Sequence, residues 1–144
     1  MLPVVGDRAL RLGAAVVALA GVGVAGYLTY VHYRPESLIC TGGGGCETVQ
    51  ESTYAELLGL PVALLGLGAY LVVFALLYWD TELARTVAAG VSLGGLAFAG
   101  YLVAVQAFVV DAWCVWCLVN DLAIVPALAA LTIVRALRPQ VIGT

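Results

Sequence analysis

Four apolar stretches constrain this chain more than any other feature. They run from about Leu10 to Tyr33, Leu60 to Trp79, Thr86 to Val110 and Trp113 to Val134. A helix needs about 20 residues to cross a hydrocarbon core of roughly 30 Å, and each stretch reaches that length. Lipid cannot satisfy backbone N–H and C=O groups, so segments of this kind must be helical. Hydrophobic residues make up 63% of the chain and charged residues 10%, whereas soluble domains carry about 25% charged residues. The expected fold class is an all-α membrane protein, a four-transmembrane-helix bundle in which residues 1–144 form a single domain. Arg8 and Arg11 precede the first stretch as they would a signal peptide. Its apolar run exceeds the roughly 7–15 residues of a signal sequence and ends in Tyr and His, so it is expected to remain as the first helix.

Arginine placement orients the bundle. Arg8 and Arg11 precede the first helix, Arg85 separates the second from the third, and Arg135 and Arg138 close the fourth, while only Arg34 falls on the other side. Positive residues favour the cytoplasmic face, which places both termini inside and the 34–59 segment outside. A net charge of -3 with no lysine offers no basic field for nucleic acid.

The four cysteines then share the outer side. Cys40 and Cys46 flank a threonine and four glycines in "CTGGGGC", and Cys114 and Cys117 form "CVWC" at the start of the fourth helix. Three readings fit such a set. Two structural disulfides are compatible with an oxidising compartment, but both loops are short, and closing a short loop adds little stability. A four-cysteine metal site requires pairs separated by two to four residues, and Cys40 and Cys46 have five between them. The third reading is a thiol–disulfide relay. Exchange requires a thiolate to approach a disulfide in line, so one partner must move, and glycines give a tether that freedom. At a helix N-terminus the dipole and free N–H groups favour a thiolate, which suits C-x-x-C to redox work.

A relay needs an electron acceptor. No haem ligand pair, dinucleotide-binding glycine pattern or metal cluster stands out in the sequence. A lipid-soluble quinone needs only an apolar pocket beside a reactive sulfur. Trp113, Trp116 and Phe108 lie close enough in sequence to line one, although Trp113 and Trp79 fit an interfacial aromatic belt equally well. Gly90 with Gly94, Gly95 with Ala99, and Gly59 with Ala63 stand at the spacing that lets membrane helices approach closely. Gln106 and Tyr101 in the third helix suit either a pocket wall or a hydrogen bond between helices.

Taken together, "CTGGGGCETVQES", "YAELLGLPVALLG" and "CVWC" resemble the vitamin K epoxide reductase family, in particular its prokaryotic homologues, over nearly the whole chain. The resemblance implies a four-helix bundle around a quinone site, capped by the outer loop and a short helix, here "ETVQESTYAELLG". It implies that electrons pass from a thioredoxin-like partner through the loop pair to the helix pair and then to menaquinone or a related isoprenoid quinone. On that basis Cys40 exchanges with the partner, Cys46 attacks the Cys114–Cys117 disulfide at Cys114, and Cys117 faces the quinone ring. Ser52 matches the family serine near the site, where its hydroxyl meets a thiolate or a quinone oxygen, or else caps the short helix. Trp116 stands beside Cys117 and joins the expected quinone-binding set. The animal enzymes carry an asparagine where this chain has Val62 and a tyrosine where it has Asp121. Reduction of a quinone, rather than of an epoxide, is therefore the expected reaction. Many bacterial homologues carry a fused thioredoxin-like domain, and a separate partner is expected here. The alternative is a non-enzymatic membrane bundle, a transporter subunit or assembly factor with structural disulfides. Such a protein would draw on Asp80, Glu82, Asp111 and Asp121, each expected near a helix end.

Overall fold

The apolar runs become helices whose ends are set by a few polar residues and one proline. The computed structural model describes residues 6–34, 56–57 and 59–137. Helix α1 spans Asp7–Tyr33, α2 Val62–Trp79, α3 Glu82–Val110 and α4 Val115–Leu137, and all four are long and apolar enough to cross a membrane. At 1.5 Å per residue α1 is about 40 Å long, more than a bilayer core requires, so it tilts or projects. The bundle closes in chain order: α1 packs on α2 and α4, and α3 packs on α2 and α4.

The buried stripe of α1 follows helical spacing through Leu10, Ala14, Ala18, Gly21, Ala25, Leu28 and Val31. Its small residues let neighbouring backbones approach, which is how helices associate where lipid removes any hydrophobic drive. The core cluster joins Ala14, Ala18 and Ala25 to Tyr70, Val73, Leu77, Ala88, Ile124 and Leu128. Helix α2 is apolar on every side yet buries only Tyr70, Val73 and Leu77, the pattern of a helix whose outer face meets lipid. Leu12, Val16, Leu19 and Leu71 point outward in the same way.

Of the glycines at close-packing spacing, Gly90 and Gly94 are exposed, and an added Cβ at either would meet nothing within 4 Å. They do not pack the bundle. Gly59 is not helical at all. The close approach is at Gly21, where a Cβ would fall 2.4 Å from the Tyr70 ring.

The short helix expected over 47–59 is also revised at its far end, its first nine residues lying outside the described ones. Glu56–Leu57 (β1) pairs antiparallel with Leu60–Pro61 (β2), Glu56 opposite Pro61. Gly59 turns the chain at a φ of +82°, a conformation that ends helices. Pro61, with no N–H to give, stands as the cap before α2. The Nε2 of His32 lies 3.1 Å from Glu56 Oε1 and ties this hairpin to the end of α1.

Opposite the hairpin the four helices are joined by charge. Asp80 caps α2 in the left-handed region at φ 51°, and Thr81 accepts the Ala84 N–H at 3.0 Å to start α3. Arg135 of α4, 2% exposed, donates to Asp7 of α1 through Nε and Nη2, each at 3.2 Å, and to Asp80 at 2.5 Å. Arg85 of α3 donates to the same two carboxylates at 3.1 Å. Arg11 donates to the carbonyls of Leu77 and Tyr78 at 2.8 and 2.9 Å, two of the acceptors that the end of α2 leaves without helical partners. Buried charge survives only when paired in this way.

Candidate functional site

The other end of the bundle is built from wide turns and neutral hydrogen bonds. The last residues of α3, Val105–Val110, and residues Asn120–Ile124 of α4 form π-helical turns. Such turns redirect side chains and recur at functional sites. Asp111, left-handed at φ 55°, ends α3, and a short link leads to Cys114.

Two hydrogen bonds fix the C-x-x-C pair. Gln106, buried in the first wide turn, accepts the Cys114 N–H on Oε1 at 2.8 Å. Cys114 caps α4, its sulfur accepting the Cys117 N–H at 3.3 Å in the place usually taken by a serine or aspartate oxygen. The Cys114 carbonyl accepts the Leu118 N–H at 2.9 Å and so begins the helix. Cys114 is 0% exposed. Cys117, one turn on, is only partly buried and lines a cavity of about 330 Å³ to which all four helices contribute.

The cavity is chiefly apolar. Val62, Leu65 and Val73 of α2 face Phe98, Leu102 and Val105 of α3 across it, with Ala25 and Leu28 of α1 and Val125 and Leu128 of α4 completing the wall. Its polar lining is Cys117, Gln106, Asn120, Asp121, Tyr70 and Ser92. Tyr70 donates its hydroxyl proton to Asn120 Oδ1, and Asn120 Nδ2 donates to Asp121 Oδ1 at 3.0 Å. Ser92 Oγ and Asp121 Oδ2 are buried with no hydrogen-bond partner among the described residues. Other hydroxyls in the bundle behave differently. Thr29 and Thr132 return their protons to helix carbonyls at 2.7 and 2.8 Å, the usual way of hiding a hydroxyl in lipid.

The structure therefore brings Cys117, Val62 and Asp121 to one cavity and seats Cys114 behind it. Cys40, Cys46 and Ser52 lie outside the described residues. Trp116 is not part of the wall; its ring packs on Tyr27 with centroids 5.1 Å apart. Phe108 and Trp113 face outward at 86% and 52% exposure. With Tyr30 and Tyr33 at the same end, and Tyr78 and Trp79 at the other, they fit an aromatic belt. Tyr101 is exposed and stacks on Phe98 instead of entering the cavity. Of the four acids expected near helix ends, Asp80, Glu82 and Asp111 are found there. Asp121 lies inside α4, 4% exposed.

Sequence reasoning passed over Tyr70, Ser92 and Asn120. The signal for Asn120 was its place beside Asp121 in a run otherwise apolar, since a polar pair within a span faces a protein interior or cavity. The model of the vitamin K epoxide reductase family matches residues 13–132, which include most of every helix, Cys114 and Cys117.

Proposed function

The chain belongs to the vitamin K epoxide reductase family, and on that premise we propose that it is a quinone-coupled thiol–disulfide oxidoreductase. The observation that carries the reading is the placement of the C-x-x-C pair: Cys117 opens onto an apolar cavity inside a membrane bundle, and Cys114, one turn away, is closed in behind it.

The cavity fits a quinone by two criteria. Its walls are aliphatic and aromatic, as an isoprenoid ring compound requires, and two of the residues lining it, Asp121 and Ser92, have a buried oxygen with no hydrogen-bond partner among the described residues. Polar atoms buried without partners are costly, so they favour a ligand whose oxygens accept from the Ser92 hydroxyl and, in the hydroquinone form, donate to the carboxylate. Val62 and Asp121 join Cys117 in holding that ligand, which is menaquinone or a related quinone.

The electrons come from a thioredoxin-like partner. Its dithiol is oxidised by the Cys40–Cys46 disulfide, Cys46 then attacks the Cys114–Cys117 disulfide at Cys114, and the reduced helix pair is left with its two thiols. Those two thiols and one quinone give one disulfide and one hydroquinone. Gln106 holds the Cys114 backbone throughout, and the glycines between Cys40 and Cys46 supply the reach. Ser52 acts near the same sulfurs. The 144 residues work as one membrane domain, with both termini in the cytoplasm and the cysteine pairs outside. The arginine distribution and the clustering of Arg11, Arg85 and Arg135 at the end opposite the cysteines support that orientation.

A thiol count on the fully reduced protein tests this function. Alkylatable thiols are measured by mass shift before and after addition of a menaquinone analogue, for the parent and for Cys117→Ala. Loss of thiols in the parent and not in the variant is the expected result. Retention of all thiols in both proteins would return the cysteines to a structural role and favour a transporter subunit or assembly factor.

A further inference from the structure

Gln106 of α3 carries a carboxamide with two ends, and only one of them is occupied by the protein. The residue stands near the start of the wide turn and is 2% exposed. Its backbone carbonyl accepts the Asp111 N–H and, at 3.2 Å, the Ala112 N–H, which draws the link to α4 back onto it. Its side chain meets the same link further on, where Oε1 accepts the Cys114 N–H at 2.8 Å. Only the oxygen of an amide can accept an N–H, so this contact fixes which way the carboxamide faces. Nε2, with two N–H groups to give, makes no hydrogen bond among the described residues.

Those unused donors adjoin the redox pair. The Cys114 whose N–H pins Oε1 also accepts the Cys117 N–H on its sulfur at 3.3 Å. Gln106 and Cys117 line the same cavity. Two other polar groups of its wall are already engaged: the Tyr70 hydroxyl donates to Asn120, and Asn120 Nδ2 donates to Asp121. An amide N–H set among apolar walls has lost water and needs an acceptor in its place. A quinone carbonyl oxygen answers that need, since it is neutral, accepts and has no hydrogen of its own.

We propose that Gln106 is a catalytic residue whose Nε2 donates a hydrogen bond to the quinone oxygen nearer the cysteines, while its Oε1 stays on the Cys114 backbone. The inference rests on the quinone-coupled reading above. One carboxamide thereby joins the ring to the C-x-x-C pair and sets the spacing between them. Accepting the Cys114 N–H polarises the amide and makes Nε2 the better donor. The bond strengthens as two electrons leave the sulfurs and charge gathers on the ring oxygen, the kind of stabilisation that a donor fixed in advance provides. Gln106 gives up no proton. The two thiol protons end on the two hydroquinone oxygens as the Cys114–Cys117 bond closes.

The test compares two ligands of one shape, menadione and 2-methylnaphthalene, which has the same fused rings and methyl group without the oxygens. The full chain is held in lipid vesicles with its cysteines oxidised, so that menadione is not consumed, and binding is read from tryptophan emission. The parent is expected to prefer menadione at least tenfold. Gln106→Leu and Gln106→Met are each expected to narrow that preference about threefold to tenfold, the scale of one hydrogen bond. The narrowing comes from menadione alone, with 2-methylnaphthalene bound within about twofold of the parent. An unchanged preference in both variants would overturn the proposal and leave the oxidoreductase reading intact. A parallel fall in affinity for both ligands would also overturn it, and would confine Gln106 to holding the Cys114 backbone. A parent that binds neither ligand, or binds the two alike, would remove the quinone site together with the role of Gln106 in it.

Discussion

The two ends of this bundle are held by opposite means. At one, Asp7, Asp80, Arg85 and Arg135, from the ends of all four helices, form a network of full charges around a buried Arg135. At the other, backbone N–H groups meet a glutamine oxygen and a sulfur, two helices widen into π turns, and a cavity opens. The charged end fixes where the helices stand relative to one another. The cysteine end is then free to hold open space and a carboxylate oxygen with no partner among the described residues, features that cost stability where they occur. The rigid end offsets what the reactive end gives up.

The strongest way to break this contrast is Arg135→Leu, which leaves Asp7 and Asp80 with Arg85 as their shared guanidinium partner. Loss of about 2–3 kcal/mol is expected, the scale of hydrogen bonds to charged groups, read as a shift in the denaturing-detergent midpoint in lipid. Below that midpoint, quinone-driven loss of thiols should persist. Gly21→Ala comes next. Its Cβ would collide with the Tyr70 ring, and overpacking of this kind costs about 1–3 kcal/mol; the same unfolding assay should show it. Gln106→Leu orphans the Cys114 N–H at a cost of about 1–3 kcal/mol. Hydrogen exchange at the Cys114 amide should accelerate while amides near Arg135 keep their protection. Thr81→Ala removes the cap of α3 for about 1 kcal/mol, visible as faster exchange at Ala84 with the cysteine end unaffected. Gly94→Ala, by contrast, meets no atom and should raise stability by up to about 1 kcal/mol through helix propensity alone.

The helices were legible because lipid imposes length and composition on them, and the apolar runs gave each span to within a few residues. Boundaries moved where one residue governs: Pro61 delays α2 to Val62, and the left-handed turn at Gly59 makes a hairpin of what looked like the end of a helix. The pairing of Cys114 with Cys117 could be read from their spacing. The cavity wall could not, because it depends on residues far apart in the chain. Tyr70 and Asn120 are 50 residues apart and meet only because Gly21, on a third helix, yields space. Spacing alone misdirected the reading of Gly90 and Gly94, since the same pattern arises on a lipid-facing surface. Trp116 was expected at the cavity because it lies between the cysteines, but its helical position turns it toward Tyr27.

The wide turn at Asn120–Ile124 also sets phase. An i→i+5 turn holds one residue more than the regular helix needs, and each residue advances a helix by about 100°. In α4 this extra residue separates Cys117, which must face the cavity, from Arg135, which must face Asp7 and Asp80. A regular helix would satisfy one of these orientations and rotate the other away by about a quarter turn. The turn therefore works as a coupling between two shafts cut at different angles, letting a single helix serve two mismatched ends.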